Sequence, residues 1–256
     1  MPVKTAVSVS EDAVLGGRLV LRQPRKGHRV GHDAILLAAA SSARPGDRLV
    51  DLGAGVGAAG LAVARRIEDL AVTLVEIDPK LAALARENIV RNGLAERARA
   101  VCLDVAAPPA AFAAAELTPG AADHVLMNPP FNAAQYPSPD RGRRLAHTAS
   151  HDTLAGWVRT ALRLLRPAGA LTLIWRADGL NTVLTVLASG FGAVALLPVH
   201  AKPDAAAIRL LVHAVKGSRA PLALLPGLIL ADAAGQPSTQ AEAVLRRGAL
   251  LPLAGN

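Results

Sequence analysis

Residues 125–132 read VLMNPPFN: an apolar run halts at Asn128, and two prolines and a phenylalanine follow. Proline has no N–H to give a sheet ladder, so Pro129 and Pro130 end a strand and stiffen the turn after it. The groups left there can do chemistry. The Asn128 side-chain oxygen and the Pro129 carbonyl are two acceptors fixed by the turn, and Phe131 is a flat ring. Together they suit a planar amine. Two acceptors hold its two N–H groups and turn the lone pair outward, and the ring stacks on the conjugated system that makes such a nitrogen a poor nucleophile. Neither a metal nor a covalent intermediate is required.

A second set of residues lies upstream. DLGAGVG spans 51–57, where an apolar strand bends into a helix. Gly53, Gly55 and Gly57 let backbone approach a ligand closely. Glu76 ends the next strand and can accept both hydroxyl hydrogens of a ribose. Asp104 ends the strand after that and can hold an adenine amino group. Gly55, Gly57 and Gly60 also fit G-x-G-x-x-G, so a nicotinamide dinucleotide competes. The charge pattern tilts against it: Asp51 sits where a pyrophosphate would lie and would repel it. S-adenosylmethionine has no phosphate and carries an ammonium and a sulfonium, which a carboxylate attracts. A tight turn with no ligand is the bland alternative. In the favoured reading Asn128 stands beside a methyl donor and aims an exocyclic adenine amine at it.

The elements that must position these groups follow from periodicity. Apolar strands are expected at 48–52, 71–77, 97–104, 122–127 and 170–175, and helices lie between them. PKLAALARENIVRNG at 79–93 has proline in its first turn and a terminating glycine. A polar loop is expected to about residue 150, then a helix over 152–169. Two further strands near 192–199 and 207–217 lack a helix between them and suggest a closing hairpin. Alternating strands and helices imply an α/β fold, doubly wound, with a mostly parallel seven-stranded sheet. A lead over 1–45 (hairpin, basic loop, helix) precedes a central domain over 46–220, and an extension over 221–256 follows.

Composition narrows the class. At 52% hydrophobic the chain can build a large core, and no apolar run reaches the roughly 18–20 residues of a membrane span. The first residues lack a signal-peptide pattern, and Cys102 is the only cysteine. A cytoplasmic protein without disulfides is expected, with no membrane partner. His147 and His151 are spaced i, i+4 but lack further ligands, so no metal is expected. Trp157 and Trp175 read as core, and Arg65 and Arg66 as surface charge. The net charge of +8 favours a polyanion, with nucleic acid first.

The chain resembles class I methyltransferases that act on amino nitrogens, and in particular the tRNA1(Val) (adenine(37)-N6)-methyltransferase family. The resemblance rests on QPRKGHRVGHDAILLAA at 23–39, DLGAGVG, VEID at 75–78, NPPF at 128–131 and the block from 196 to 222. His28 and Val30 depart from the family's usual aromatic pair. The resemblance implies S-adenosylmethionine contacts at Asp51, Gly53, Gly55, Gly57, Glu76, Ile77, Asp104, Val105 and Asn128, and a catalytic face at Asn128, Pro129, Pro130 and Phe131. RNA, in the form of a tRNA anticodon loop with its bases already unstacked, is the implied partner. Arg141, Arg143 and Arg144 are the foremost phosphate contacts; Arg22, Arg25, Lys26 and Arg29 are a second group, and Lys202, Arg209, Lys216 and Arg219 a third. Methylation of a protein glutamine amide or of a guanine N2 in ribosomal RNA stays open, as does a non-catalytic RNA-binding module.

Overall fold

The computed structural model describes residues 8–25, 29–130 and 139–254. A hairpin of β1 (Val9–Val14) and β2 (Leu19–Pro24) leads into α1 (His32–Ala39). The alternating region comprises β3 (Arg48–Leu52), α2 (Ala58–Arg66), β4 (Ala71–Glu76), α3 (Pro79–Arg91), β5 (Ala98–Cys102), α4 (Pro109–Ala114), β6 (Ala122–Met127), α5 (Pro139–Leu164), β7 (Leu165–Arg176) and α6 (Leu180–Leu187). The hairpin β8 (Phe191–His200) and β9 (Ala207–Lys216) comes next, then β10 (Ala223–Leu224), β11 (Leu228–Ile229) and α7 (Thr239–Arg247).

The seven long strands lie in the order β8-β9-β7-β6-β3-β4-β5. Only β9 runs antiparallel to its neighbours. The two-residue strands β10 and β11 add in parallel to β8, so the whole sheet has nine strands and not seven. The chain enters the sheet centre at β3, moves out through β4 and β5, then returns to the other side of β3 at β6. The strand order therefore reverses between β3 and β6, and open α/β sheets bind their ligands outside the carboxyl ends of the strands at such a point.

Both faces of this sheet are covered, so its strands are apolar on both sides. Leu49, Val72, Leu74, Leu126 and Ile174 pack on one face with α1, α2, α3 and the hairpin leucines Leu19 and Leu21. Val244, Leu251 and Leu253 of the C-terminal segment join that same core. Val50, Leu52, Val125, Met127 and Leu173 point the other way, against Phe112 of α4, Leu154 and Val158 of α5 and Val183 of α6. Local signals agree with the boundaries. Asp78 accepts from Lys80 N–H at 2.7 Å to cap α3, and Ser238 accepts from Ala241 N–H at 3.0 Å to cap α7.

Four expectations change. The helix α5 begins at Pro139, not near 152, because proline is tolerated in a first turn and none interrupts the run before Pro167. The same helix stops at Leu164, and Pro167, Ala168 and Gly169 lie within β7. There the pairing with β6 jumps from Ala122↔Leu165 to His124↔Ala170, and Ala168 adopts φ +59°. Arg66 is not a free surface charge: it donates to the carbonyls of Ala38 at 2.9 Å and Ser41 at 3.1 Å, closing the end of α1. Lys216 likewise donates to the carbonyls of Leu162 and Leu165, at 2.7 and 2.6 Å, at the end of α5.

Gly60 shows how closely α2 sits on the sheet. A Cβ there would lie 2.5 Å from Leu74 Cδ2 and 3.1 Å from Asp51 Oδ2. Gly60→Ala is expected to cost about 1–3 kcal/mol through overpacking, lowering the thermal midpoint by about 3–10 °C. An unchanged midpoint in a melting curve would show that α2 can slide.

Candidate active site

Parallel pairing sets Leu52 beside Met127 and beside Val75, and Glu76 beside Cys102. The residues that follow these strand ends therefore share one edge of the sheet. The edge carries Asp51 near the end of β3 with Gly53, Gly55 and Gly57 after it, Glu76 at the end of β4 with Ile77 after it, Asp104 and Val105 after β5, and Asn128, Pro129 and Pro130 after β6. Gly53 and Asn128 flank the point where the strand order reverses. Phe131 and Lys26 lie outside the described residues.

The glycine bend runs through left-handed backbone, with φ +67° at Gly53 and +92° at Gly57. Any side chain is strained in that region, and at Gly57 a Cβ would also lie 2.7 Å from Leu74 Cδ1. Two carboxylates shape the bend. Glu76, buried at 6% exposure, accepts from Gly55 N–H and from Asp78 N–H, each at 2.8 Å. Asp51, 3% exposed, accepts from Gly60 N–H at 2.9 Å. Among the described residues no lysine, arginine or histidine pairs with Asp51. Burial accordingly pushes its carboxyl from an ordinary 3.8 up to about 7; the Gly60 N–H resists this, and the nearby Glu76 charge adds to it. A buried carboxylate with no internal cation gains most from an incoming one, so Asp51 fits the ammonium of an amino-acid-like ligand.

The rest of the edge is less enclosed. Ile77 is 60% exposed, an apolar side chain offered at a strand end. Asp104 is exposed and uses Oδ1 to accept from Ala106 N–H at 2.8 Å. Val105 is buried, and its carbonyl accepts from Thr160 Oγ1 at 3.0 Å, which ties α5 to this edge. Asn128 is half-buried and Pro129 buried. Among the described residues the Asn128 side chain makes no hydrogen bond, so its acceptor oxygen is not committed to the fold.

Two side chains at this edge had no signal in the sequence. Trp157 reads there as core, yet it is only half-buried, and a Cβ on Gly53 would overlap its ring. The indole thus lies flush against the glycine bend. Thr160, one turn further along α5, reads as an ordinary polar helix position.

The basic candidates separate. Residues 141–144 lie in the first turns of the helix that brings Trp157 to the bend, not in a loop. Arg25 and Arg29 belong to the lead. Arg25 Nε donates to the Val9 carbonyl at 3.0 Å, and Arg29 pairs with Asp12 at 3.0 Å. Arg22 pairs with Glu87. In the third group Arg209 pairs with Asp33 at 2.9 Å, and Lys216 is taken up by α5. Among the described residues no group of three or more His, Cys, Asp or Glu side chains could hold a metal ion, and no helix is long and apolar enough to cross a membrane.

Comparison with known proteins decides the family. The methyltransferase small domain family model matches residues 29–202, more than half of the chain. The chain belongs to the methyltransferase small domain family. A tRNA1(Val) (adenine(37)-N6)-methyltransferase from Tolumonas auensis is 32% identical over 154 residues, covering 59% of this chain and 61% of that protein. The enzyme of the same description from Bacteroides thetaiotaomicron is 28% identical, covering 72% of this chain and 75% of that one. A crystal structure described as a predicted O-methyltransferase, from Agrobacterium tumefaciens, superposes with TM-score 0.72 at 30% identity, covering 86% of this chain and 98% of that one. The match thus spans about three fifths of the first of these relatives. For a methyltransferase small domain, the edge described above is the carboxyl edge of the shared sheet.

Proposed function

We propose that this protein transfers a methyl group from S-adenosylmethionine to the exocyclic N6 of an adenine in RNA, with a tRNA anticodon loop as substrate. The observation that carries this reading is the juxtaposition of Asn128, whose amide makes no hydrogen bond among the described residues, with the glycine bend, across the point where the strand order reverses. When bound, S-adenosylmethionine supplies an electrophilic methyl carbon. Asp51 holds the donor's ammonium, and Glu76 has lone pairs left for ribose hydroxyls after its two backbone contacts. Ile77 packs on the adenine ring, with Asp104 and the backbone of Val105 at its edge. Asn128 Oδ1 and the Pro129 carbonyl accept the two N–H hydrogens of the target amine, and Phe131 stacks on its base.

The relatives from Tolumonas auensis and Bacteroides thetaiotaomicron are both described as adenine-N6 enzymes, which supports an amine as the acceptor. The description of the Agrobacterium tumefaciens protein favours a hydroxyl instead. A hydroxyl has one hydrogen to give and leaves one of the two acceptors at residues 128 and 129 unmatched. Incubation with tritiated donor and total RNA, followed by nucleoside analysis, separates these readings. N6-methyladenosine is expected. Label in 2-methylguanosine, in a ribose methyl group or in protein would each overturn the assignment.

The RNA side has its own test. Neutralising Arg141, Arg143 and Arg144 together is expected to weaken RNA binding and to reduce the slope of log affinity against log salt by about 2 for a fully engaged single-stranded site. Donor binding should not change. An unaltered salt slope would remove the start of α5 from the interface.

A further inference from the structure

Among the described residues, the outer edge of β2 does not pair with a strand. It pairs with Asn88 of α3 and with Asn92, the residue that caps that helix. Asn92 Oδ1 accepts from Val20 N–H at 3.0 Å, while its Nδ2 donates to the Val20 carbonyl at 2.8 Å. Asn88 repeats this at Arg22, accepting from N–H at 2.7 Å and donating to the carbonyl at 3.0 Å. The spacing makes the match possible. Four helical residues rise about 6.0 Å, and two strand residues advance about 6.6 Å, so side chains at i and i+4 of a helix meet alternate residues of a strand. Each amide satisfies an N–H and a C=O that a strand edge would otherwise leave unpaired.

The two asparagines differ in burial and in their second partner. Asn88 is fully buried, and its Nδ2 makes a second donation, at 3.0 Å, to the Val56 carbonyl inside the glycine bend. Asn92 Nδ2 instead makes its second donation to the Asn88 carbonyl, at 2.8 Å, within its own helix. One amide thus joins the N-terminal lead to the bend. The bend needs such an anchor. Three of its residues are glycines, whose backbone freedom is lost when the loop is fixed. Among the described residues, the other side-chain hydrogen bond to residues 53–57 is that of Glu76 on Gly55, one residue away.

We propose that Asn88 is a positioning residue that fastens the donor loop to the lead, so that donor affinity and the ordering of β2 are linked. The inference rests on the reading that residues 51–57 hold the donor. Linkage is reciprocal: what donor binding gains from an ordered lead, the lead gains from a bound donor.

Comparing Asn88→Ala with Asn92→Ala tests this. Both remove two hydrogen bonds to β2, so both are expected to lower the thermal midpoint and speed amide exchange in β2. Only Asn88→Ala frees Val56. By calorimetry it should weaken S-adenosylhomocysteine binding by about tenfold, the size of one lost buried hydrogen bond. Asn92→Ala should weaken it by less than about threefold. Equal losses in both variants, or none in Asn88→Ala, would overturn the proposal. If Asn88→Ala does not fold, the wild-type protein decides. Adding S-adenosylhomocysteine should slow hydrogen exchange at the Arg22 amide, and unchanged exchange at saturation counts against the link. A wild-type protein that binds no S-adenosylhomocysteine would instead sink the reading of the donor site.

Discussion

Replacing Asn128 by alanine should lower single-turnover methyl transfer by about two to three orders of magnitude, the cost of losing one preorganised polar partner of a reacting group. Donor affinity should stay within about twofold. The expectation follows from where the residue stands. It comes directly after Met127, which pairs with Leu52, and the next residue after Leu52 opens the glycine bend. Among the described residues the amide makes no hydrogen bond, so its removal strands no hydrogen-bond partner there and little stability should be lost. Asn128→Asp separates geometry from charge. It keeps an acceptor oxygen in the same place and should recover at least about tenfold over alanine, as a restored hydrogen bond would. Rapid-quench transfer assays with calorimetry of S-adenosylhomocysteine binding read both quantities. Normal transfer in Asn128→Ala would remove the amide from the mechanism and leave the Pro-Pro turn as a strand stop.

Much of this edge was legible in the sequence, because strand ends announce themselves there. Asp51, Glu76, Asp104 and Asn128 each follow an apolar run, and parallel strands of similar length bring their carboxyl ends together whatever the details of packing. Residues acting from helices were not legible. Trp157 lies in an Ala/Leu-rich helix where an indole fits a core equally well, and only tertiary placement sets it on Gly53. Asn88 and Asn92 look like the polar face of α3, since their partners Arg22 and Val20 lie 66 and 72 residues earlier. Charges misled for a similar reason. Arg66 and Lys216 count toward a basic surface in composition, but each closes the carbonyl end of a helix. The C-terminal segment reads as an extension packed on the same domain, with a short strand at LIL and a helix over TQAEAVLRRG; β11 and α7 lie there, and Val244 enters the core shared with the lead. Only β10, two residues paired in parallel at the sheet edge, leaves too short a pattern to detect beforehand.

Asp51→Asn is expected to raise stability and abolish function together. In the folded protein burial holds the Asp51 carboxyl near pH 7, well above its ordinary 3.8. The sign follows from linkage. A folded-state pKa above the unfolded one means that the fold favours the neutral carboxyl. That stabilisation is complete below about pH 4 and is lost as pH rises through about 7. Asparagine never ionises and can still accept from Gly60 N–H. The variant should therefore melt at a similar temperature to wild type near pH 4 and at a higher one at pH 8.5. Ligand binding should move the other way. A cationic ammonium favours the ionised carboxylate, so wild-type affinity for S-adenosylhomocysteine should climb as pH rises through 7, with up to one proton released per ligand bound. Asp51→Asn should lose that climb and bind at least about a hundredfold more weakly at pH 8, as expected when one partner of a buried ion pair is removed. Calorimetry in buffers of differing ionisation enthalpy counts the proton directly. Should the variant bind as tightly as wild type, with the same pH profile, the carboxylate would not be facing a cation, and the case for a donor bearing an ammonium at this bend would go with it.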